Sequence, residues 1–199
     1  MRNFRYDGIV PKRPSTQPVH DPRTLRAIAH PVRNRILHEI TAQGSLRAAD
    51  IARDLGIPAN QASFHLRQLA KYGLIEEDPD AARDRRDRVW RAAASQGFTV
   101  QLRSLEKQPG GKAATAVFRR TARDWGHVVV DSAYSAERDR GTYSTVTDMA
   151  LRLTKDEAAA FARELDEVSS RWQQRTRGRD PKRQTYVYLS VVTPHPDQG

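Results

Sequence analysis

The chain contains no cysteine. Disulfides, thiolate zinc sites and cysteine nucleophiles are therefore excluded from its chemistry. No apolar run approaches the roughly 18 residues that a membrane-spanning helix needs. The opening stretch MRNFRYDGIVPKRPSTQP lacks the apolar core of a secretory signal, so a cytoplasmic location and no membrane partner are expected. Gly-x-Ser-x-Gly and Gly-x-Gly-x-x-Gly patterns are missing, and Gly110-Gly111-Lys112 lacks the rest of a phosphate loop. The histidines at 20, 30, 38, 65, 127 and 195 are scattered without metal-ligand spacing. The expectation is a protein that is not an enzyme and uses no cofactor.

Negative charge is also short. Asp and Glu number 24 against 34 Lys and Arg, a net charge of +10 and a pI near 10.4. Such a balance is the footprint of a nucleic-acid binder, although anionic lipid or acidic partners attract the same charge. Only six of the 34 cations are Lys. Arginine forms bidentate pairs with phosphate and guanine and keeps its charge when partly desolvated; a genome rich in G and C raises arginine equally well. At 199 residues the chain has room for one ordinary domain or two small ones.

Residues 1–20, with their prolines and with Arg2, Arg5, Lys12 and Arg13, read as a flexible basic arm. Four short helices are expected next. Asp21-Pro22 and His30-Pro31 open the first two, because proline suits the first helical position and pushes the residue before it out of the helical region. Val32, Ile36, Leu37 and Ile40 form one apolar face, and Gly44 ends it. Ser45 caps a third helix. Gly56-Ile57-Pro58 turns into a fourth, which carries Ala62, Leu66 and Leu69 inward. Two short helices with a glycine turn and alanines at their crossing fit a helix-turn-helix. Residues 74–77 and 89–92 then read as a hairpin, a wing, whose tip holds Arg83, Arg85, Arg86 and Arg88 among Asp80, Asp84 and Asp87. Those arginines can reach phosphates or a minor groove; the interleaved aspartates equally suit a solvated loop.

Residues 21–93 resemble the winged-helix domain of the ArsR-type bacterial transcription regulators. The likeness lies in Asp21-Pro22-Arg23, the run from Leu25 to Arg33 with its His30-Pro31, Ile36-Leu37, Ile51-Ala52, Leu55-Gly56, Ser63-Phe64-His65-Leu66, Leu69 and Gly73-Leu74-Ile75. The resemblance implies a dimeric DNA-binding regulator, often a repressor released from DNA by an inducer. It also implies that the fourth helix enters the major groove. Its reading face would comprise Asn60, Gln61, Ser63, Phe64, His65, Arg67, Gln68 and Lys71. Gln and Asn pair with adenine, Arg with guanine, and Phe packs on a thymine methyl. His65 has two readings, a phosphate contact or a bond within the fold. The family's metal-sensing Cys-x-Cys is replaced by Leu46 to Asp50. Asp124, His127 and Asp131 share a helix face but lack the second histidine, so no metal is expected.

Residues 96–111 read as a linker, ending in the breaker Gln108-Pro109-Gly110-Gly111, and 112–199 as a dimerisation and candidate effector domain. Residues 112–138 carry Ala114, Phe118, Thr121, Trp125, Val128 and Ser132 at alternating spacings of four and three, the seam of a helix pair. Phe118, Thr121, Trp125 and Val128 are the expected dimer contacts; packing on the winged helix of the same chain is the other reading. Residues 142–153 and 184–193 read as strands flanking a helix that opens with the capping box of Thr154 and Glu157. Trp125, Tyr134, Tyr143, Trp172, Tyr186 and Tyr188 could wall a pocket for a small-molecule effector, but no polar constellation picks out a ligand, and core or dimer interface is the plainer reading. The expected fold is mainly α, in the α+β class: a winged helix-turn-helix, a long dimerisation helix and a small strand–helix–strand domain. The expected function is a homodimeric repressor binding double-stranded DNA at an inverted repeat. The alternative is a winged helix used for protein–protein contact without specific DNA binding.

Overall fold

The computed structural model describes residues 16–84, 88–94, 97–135 and 141–196. Helix α1 (Pro22–Ile28) starts where the Asp21 carboxylate accepts the Arg23 N–H at 2.8 Å. Helix α2 (Pro31–Gln43) begins after His30, which is held extended, and stops at Gly44. Helix α3 (Ala48–Leu55) ends at Gly56, whose φ of +63° favours glycine, and α4 (Ala59–Lys71) follows. Ile36, Ile40, Ile51, Leu66, Leu69 and Leu74 are fully buried and tie these helices into one core.

Against that core lies a three-stranded antiparallel sheet. Strand β2 (Leu46–Arg47) pairs with β4 (Val89–Ala92), and β4 with β3 (Ile75–Glu77). The wing hairpin thus stands at the expected residues. Its third strand is a departure from the sequence reading, which ran Ser45 straight into a helix. Ser45 instead hydrogen-bonds the buried Asp78 side chain, and Leu46 is paired with Trp90. The partner lies 44 residues away, beyond anything local spacing encodes.

Two further stretches depart from the sequence reading. Within 1–20, Gln17–Val19 forms strand β1, parallel to strand β5 (Phe98–Val100). Residues 96–111 hold that β5 and a single helical turn, α5 (Leu102–Leu105), rather than a plain linker. Both pieces are kept by burial. Val19, Leu25, Leu105 and Ala114 make a second small core that joins α1 to the long helix α6 (Gly111–Tyr134). Arg2, Arg5, Lys12 and Arg13 lie outside the described residues.

The last helix, α7 (Lys155–Thr176), begins with the capping box: the Thr154 hydroxyl accepts the Glu157 N–H, and the Glu157 carboxylate accepts from the Thr154 N–H at 2.7 Å. The flanking strands expected at 142–153 and 184–193 are not formed. Their starts lie together, the Tyr143 N–H donating to the Tyr186 hydroxyl at 3.2 Å, yet no ladder joins them. Period-two alternation defines an apolar face; a strand also needs a backbone neighbour to take its hydrogen bonds. Met149, Leu151 and Leu153 remain exposed as a result.

After α7 the chain returns to the helical core. Arg179 donates to Asp50 at 2.8 Å, and the Thr185 hydroxyl donates to Glu39 at 2.7 Å. Burial alone would raise the Asp50 pKa. The Arg47 N–H and the guanidinium groups of Arg179 and Arg53 outweigh it and hold the carboxyl below 3.8. The folded chain then binds fewer protons than the unfolded one in acid, so this stability is present above about pH 3.8 and is lost as pH falls through the lowered value. Arg179→Ala is expected to cost about 1 kcal/mol or less, since the pair is partly solvated, and to soften that loss of stability in acid. Thermal melting across an acid pH series checks both.

Candidate nucleic-acid interface

Helix α4 is seated by Ala62, Leu66 and Leu69, each fully buried. Its opposite side carries Asn60, Phe64, Arg67 and Lys71 at spacings of four, three and four, one continuous stripe along the helix. All four are exposed, and so is Gln61; Ser63 and Gln68 are half-buried at the edges. Phe64 is 49% exposed and is the one large apolar side chain so placed among the described residues of the four-helix core and wing. The stripe therefore offers amide, guanidinium, ammonium and ring on a single face, the donor and contact set that reads base edges.

One expected member of this face is elsewhere. His65 is 5% exposed and lies on the inner side, its ring centroid 4.8 Å from that of His30. It stands three residues after Ala62 and four before Leu69, within the arc that helical geometry turns inward. Its spacing could have revealed this; the polarity of histidine argued the other way. Its burial takes it off the exposed face, and among the described residues its Nδ1 atom meets no hydrogen-bond partner.

Arg33 also emerges from the structure. Its guanidinium donates to the carbonyl oxygens of Ala27 at 2.7 Å and Arg26 at 3.1 Å, closing the C-terminal end of α1 onto α2. The signal in the sequence was its place two residues after His30-Pro31. Burial, the largest cause, lowers its pKa from the usual guanidinium range; at neutral pH it is a fixed cation.

The wing stands beside α4 in sequence and is joined to α2 through β4. Arg83 and Arg88 are exposed. Arg88 approaches Glu77 at 3.5 Å, and Arg91 pairs with Glu76 at 2.8 Å, so part of the cationic charge here is balanced by the hairpin's own acids. Arg85 and Arg86 lie outside the described residues.

The expected dimer contacts on α6 divide. Phe118, Thr121 and Trp125 are half-buried against their own chain: Phe118 adds to the second core, and the Trp125 ring lies 5.4 Å from that of His38. Val128 is 56% exposed, and Val117, on the same edge of the helix, is exposed as well. Phe118 and Trp125 thus have contacts within their own chain. Tyr134, Tyr143, Trp172, Tyr186 and Tyr188 are exposed and do not close round a pocket; the Arg175 guanidinium covers the Trp172 ring at 4.0 Å. Among the described residues no three His, Asp or Glu side chains converge as a metal site, and no helix is long and apolar enough to cross a membrane.

Residues 28–78 match the family described as "Helix-turn-helix domain", a span from the end of α1 to the start of the wing. With the three-stranded sheet, the element order is complete. The N-terminal half is a winged helix-turn-helix domain. That architecture is the DNA-binding unit of many transcription regulators. No curated protein matches the chain significantly. Among solved structures, a MarR family regulator from Neisseria meningitidis is similar at 17% identity, over 75% of this chain and 76% of the other, with a TM-score of 0.29. So low a score fixes neither the arrangement of the whole nor the function.

Proposed function

We propose that the protein is a sequence-specific DNA-binding transcription regulator that acts as a homodimer on an inverted-repeat operator, with repression as its output and no catalytic activity. The observation that carries this reading is the exposed stripe of Asn60, Phe64, Arg67 and Lys71 on the second helix of a helix-turn-helix, flanked by Gln61 and Gln68. Arg83 and Arg88 of the wing, with Arg85 and Arg86, add phosphate or minor-groove contacts. Residues 112–199 supply dimerisation, with Val128 and Val117 of α6 exposed for a second copy, and are the place for any effector. The ArsR-like run in residues 21–93 supports the assignment to that kind of regulator, and a protein with this role works in the cytoplasm.

Two recognition helices set about 34 Å apart, one DNA turn, suit an inverted repeat. The test is fluorescence anisotropy of the full chain on DNA from its own promoter beside a shuffled duplex, across a salt series. The reading expects own-promoter DNA to bind at least about a thousandfold tighter at physiological salt, and sedimentation to give a dimer. Equal binding with a steep salt slope would mean that only charge is being read. Exposed Phe64 favours one other reading, a protein-binding winged helix, and absence of binding to either duplex at low salt would put it first.

A further inference from the structure

The proposed DNA contacts leave His30 and His65 unused. These rings meet at the joint between the start of α2 and the inner face of α4, centroids 4.8 Å apart and planes tilted by 49°. The Nδ1 atom of each is buried and has no hydrogen-bond partner among the described residues. His65 is buried and His30 half-buried, and taking an imidazole out of water disfavours its charged form; on His30 a hydrogen bond to its own backbone offsets part of that cost.

The neighbouring groups make a proton there costly. From α2 comes the Arg33 cation, immobilised by its bonds to the Ala27 and Arg26 carbonyls of α1. Those are two of the carbonyls at the end of α1, already engaged by Arg33. From α4 come His65 itself and the Phe64 ring, edge-on at 5.4 Å. After α4, Tyr72 interacts with Arg33. Among the described residues no carboxylate acts on either ring. A proton on one imidazole would thus face a fixed guanidinium and a second imidazole; on His30 the bond to its own backbone favours the proton but is outweighed by burial, Arg33 and His65.

We propose that the His30–His65 pair is a proton-operated catch on the recognition helix. With both rings neutral, α4 is seated against the α1–α2 joint; a proton on either ring unseats it, and acidification releases DNA. The release step rests on the proposed reading of α4, whereas the catch itself does not. Burial first, then Arg33, lowers both pKa values below 6.5, with His65 adding to the effect on His30. The folded chain then holds fewer protons than the unfolded one below that value. Stability is unaffected by the pair well above pH 6.5 and falls as pH drops from there through the lowered values.

The test uses the full chain and its own-promoter DNA. Ring titration followed by proton–nitrogen NMR is expected to place both imidazoles below 6.5. His30→Phe keeps an aromatic ring against His65 and cannot take a proton; His65→Phe is the reciprocal variant. Wild-type affinity is expected to fall about tenfold more than that of His30→Phe between about pH 7.5 and 5.5, one proton-linked unit, with a matching excess fall in Tm. Titration at or above 6.5, as a proton shared between the rings would give, overturns the catch. So does an equal acid slope in wild type and both variants, or affinity that rises on acidification. If no duplex binds specifically at any pH, the reading of α4 fails, and titration and Tm alone still decide the catch.

Discussion

Gln61→Ala combined with Arg67→Ala is expected to weaken binding to own-promoter DNA by roughly thirtyfold or more, taking about 1–3 kcal/mol for each lost base contact. Both side chains are exposed on α4, and neither contributes to its seat on Ala62, Leu66 and Leu69. The circular dichroism spectrum and Tm should therefore stay at wild-type values, which separates lost recognition from lost folding. Binding to the shuffled duplex should change much less, because that term comes from total charge. Arg83→Ala on the wing should act in the opposite pattern. It is expected to weaken all duplexes about equally and to reduce the salt slope by about one. If the Gln61 and Arg67 double variant binds its promoter normally, α4 is not the reading element.

The largest loss of stability is expected from Gly111→Ala. A Cβ at this position would lie 1.8 Å from the Leu105 carbonyl oxygen and 2.8 Å from the carbonyl carbon. Both are backbone atoms of the α5 turn, so no side-chain rotation relieves the clash. Either α5 or the start of α6 has to move, and Leu105 and Ala114 would leave the small core that they share with Val19 and Leu25. Overpacking of well-filled sites costs about 1–3 kcal/mol and sometimes more; a clash between backbone segments belongs at or above the top of that range. In a chain of this size 3 kcal/mol lowers Tm by roughly 6–12 °C. Gly56→Ala is the informative contrast. Nothing lies within 4 Å of its added Cβ, and the whole cost comes from a φ of +63°, about 1–2 kcal/mol for a left-handed residue with a side chain. Thermal melting of the two variants side by side checks the order. Equal Tm values would mean that the α5–α6 joint yields more easily than its packing implies.

The sequence by itself determined the local plan of the winged helix. Asp21-Pro22 and His30-Pro31 mark helix starts through fixed proline dihedrals, and Gly44, Gly56 and Gly73 mark stops through positive φ. Helical spacing in α4 separates the buried Ala62, Leu66 and Leu69 from the exposed Asn60, Phe64, Arg67 and Lys71, and the wing strands read directly from β-rich runs around a polar turn. All of these are consequences of backbone geometry over a few residues. What only the tertiary structure decided involves partners far apart in the chain. Strand β2 exists because Leu46 meets Trp90, and β1 because Gln17 meets Phe98. Trp125 turns towards His38 of its own chain, a choice that the helical seam left open. Residues 142–153 and 184–193 carry strand-like alternation and form no ladder. His65, polar enough to suggest a DNA contact, is drawn inward against His30 because the fold brings α4 onto the start of α2. Short-range dihedral and period signals are written in neighbouring residues, whereas the identity of a packing or pairing partner is a property of the whole chain.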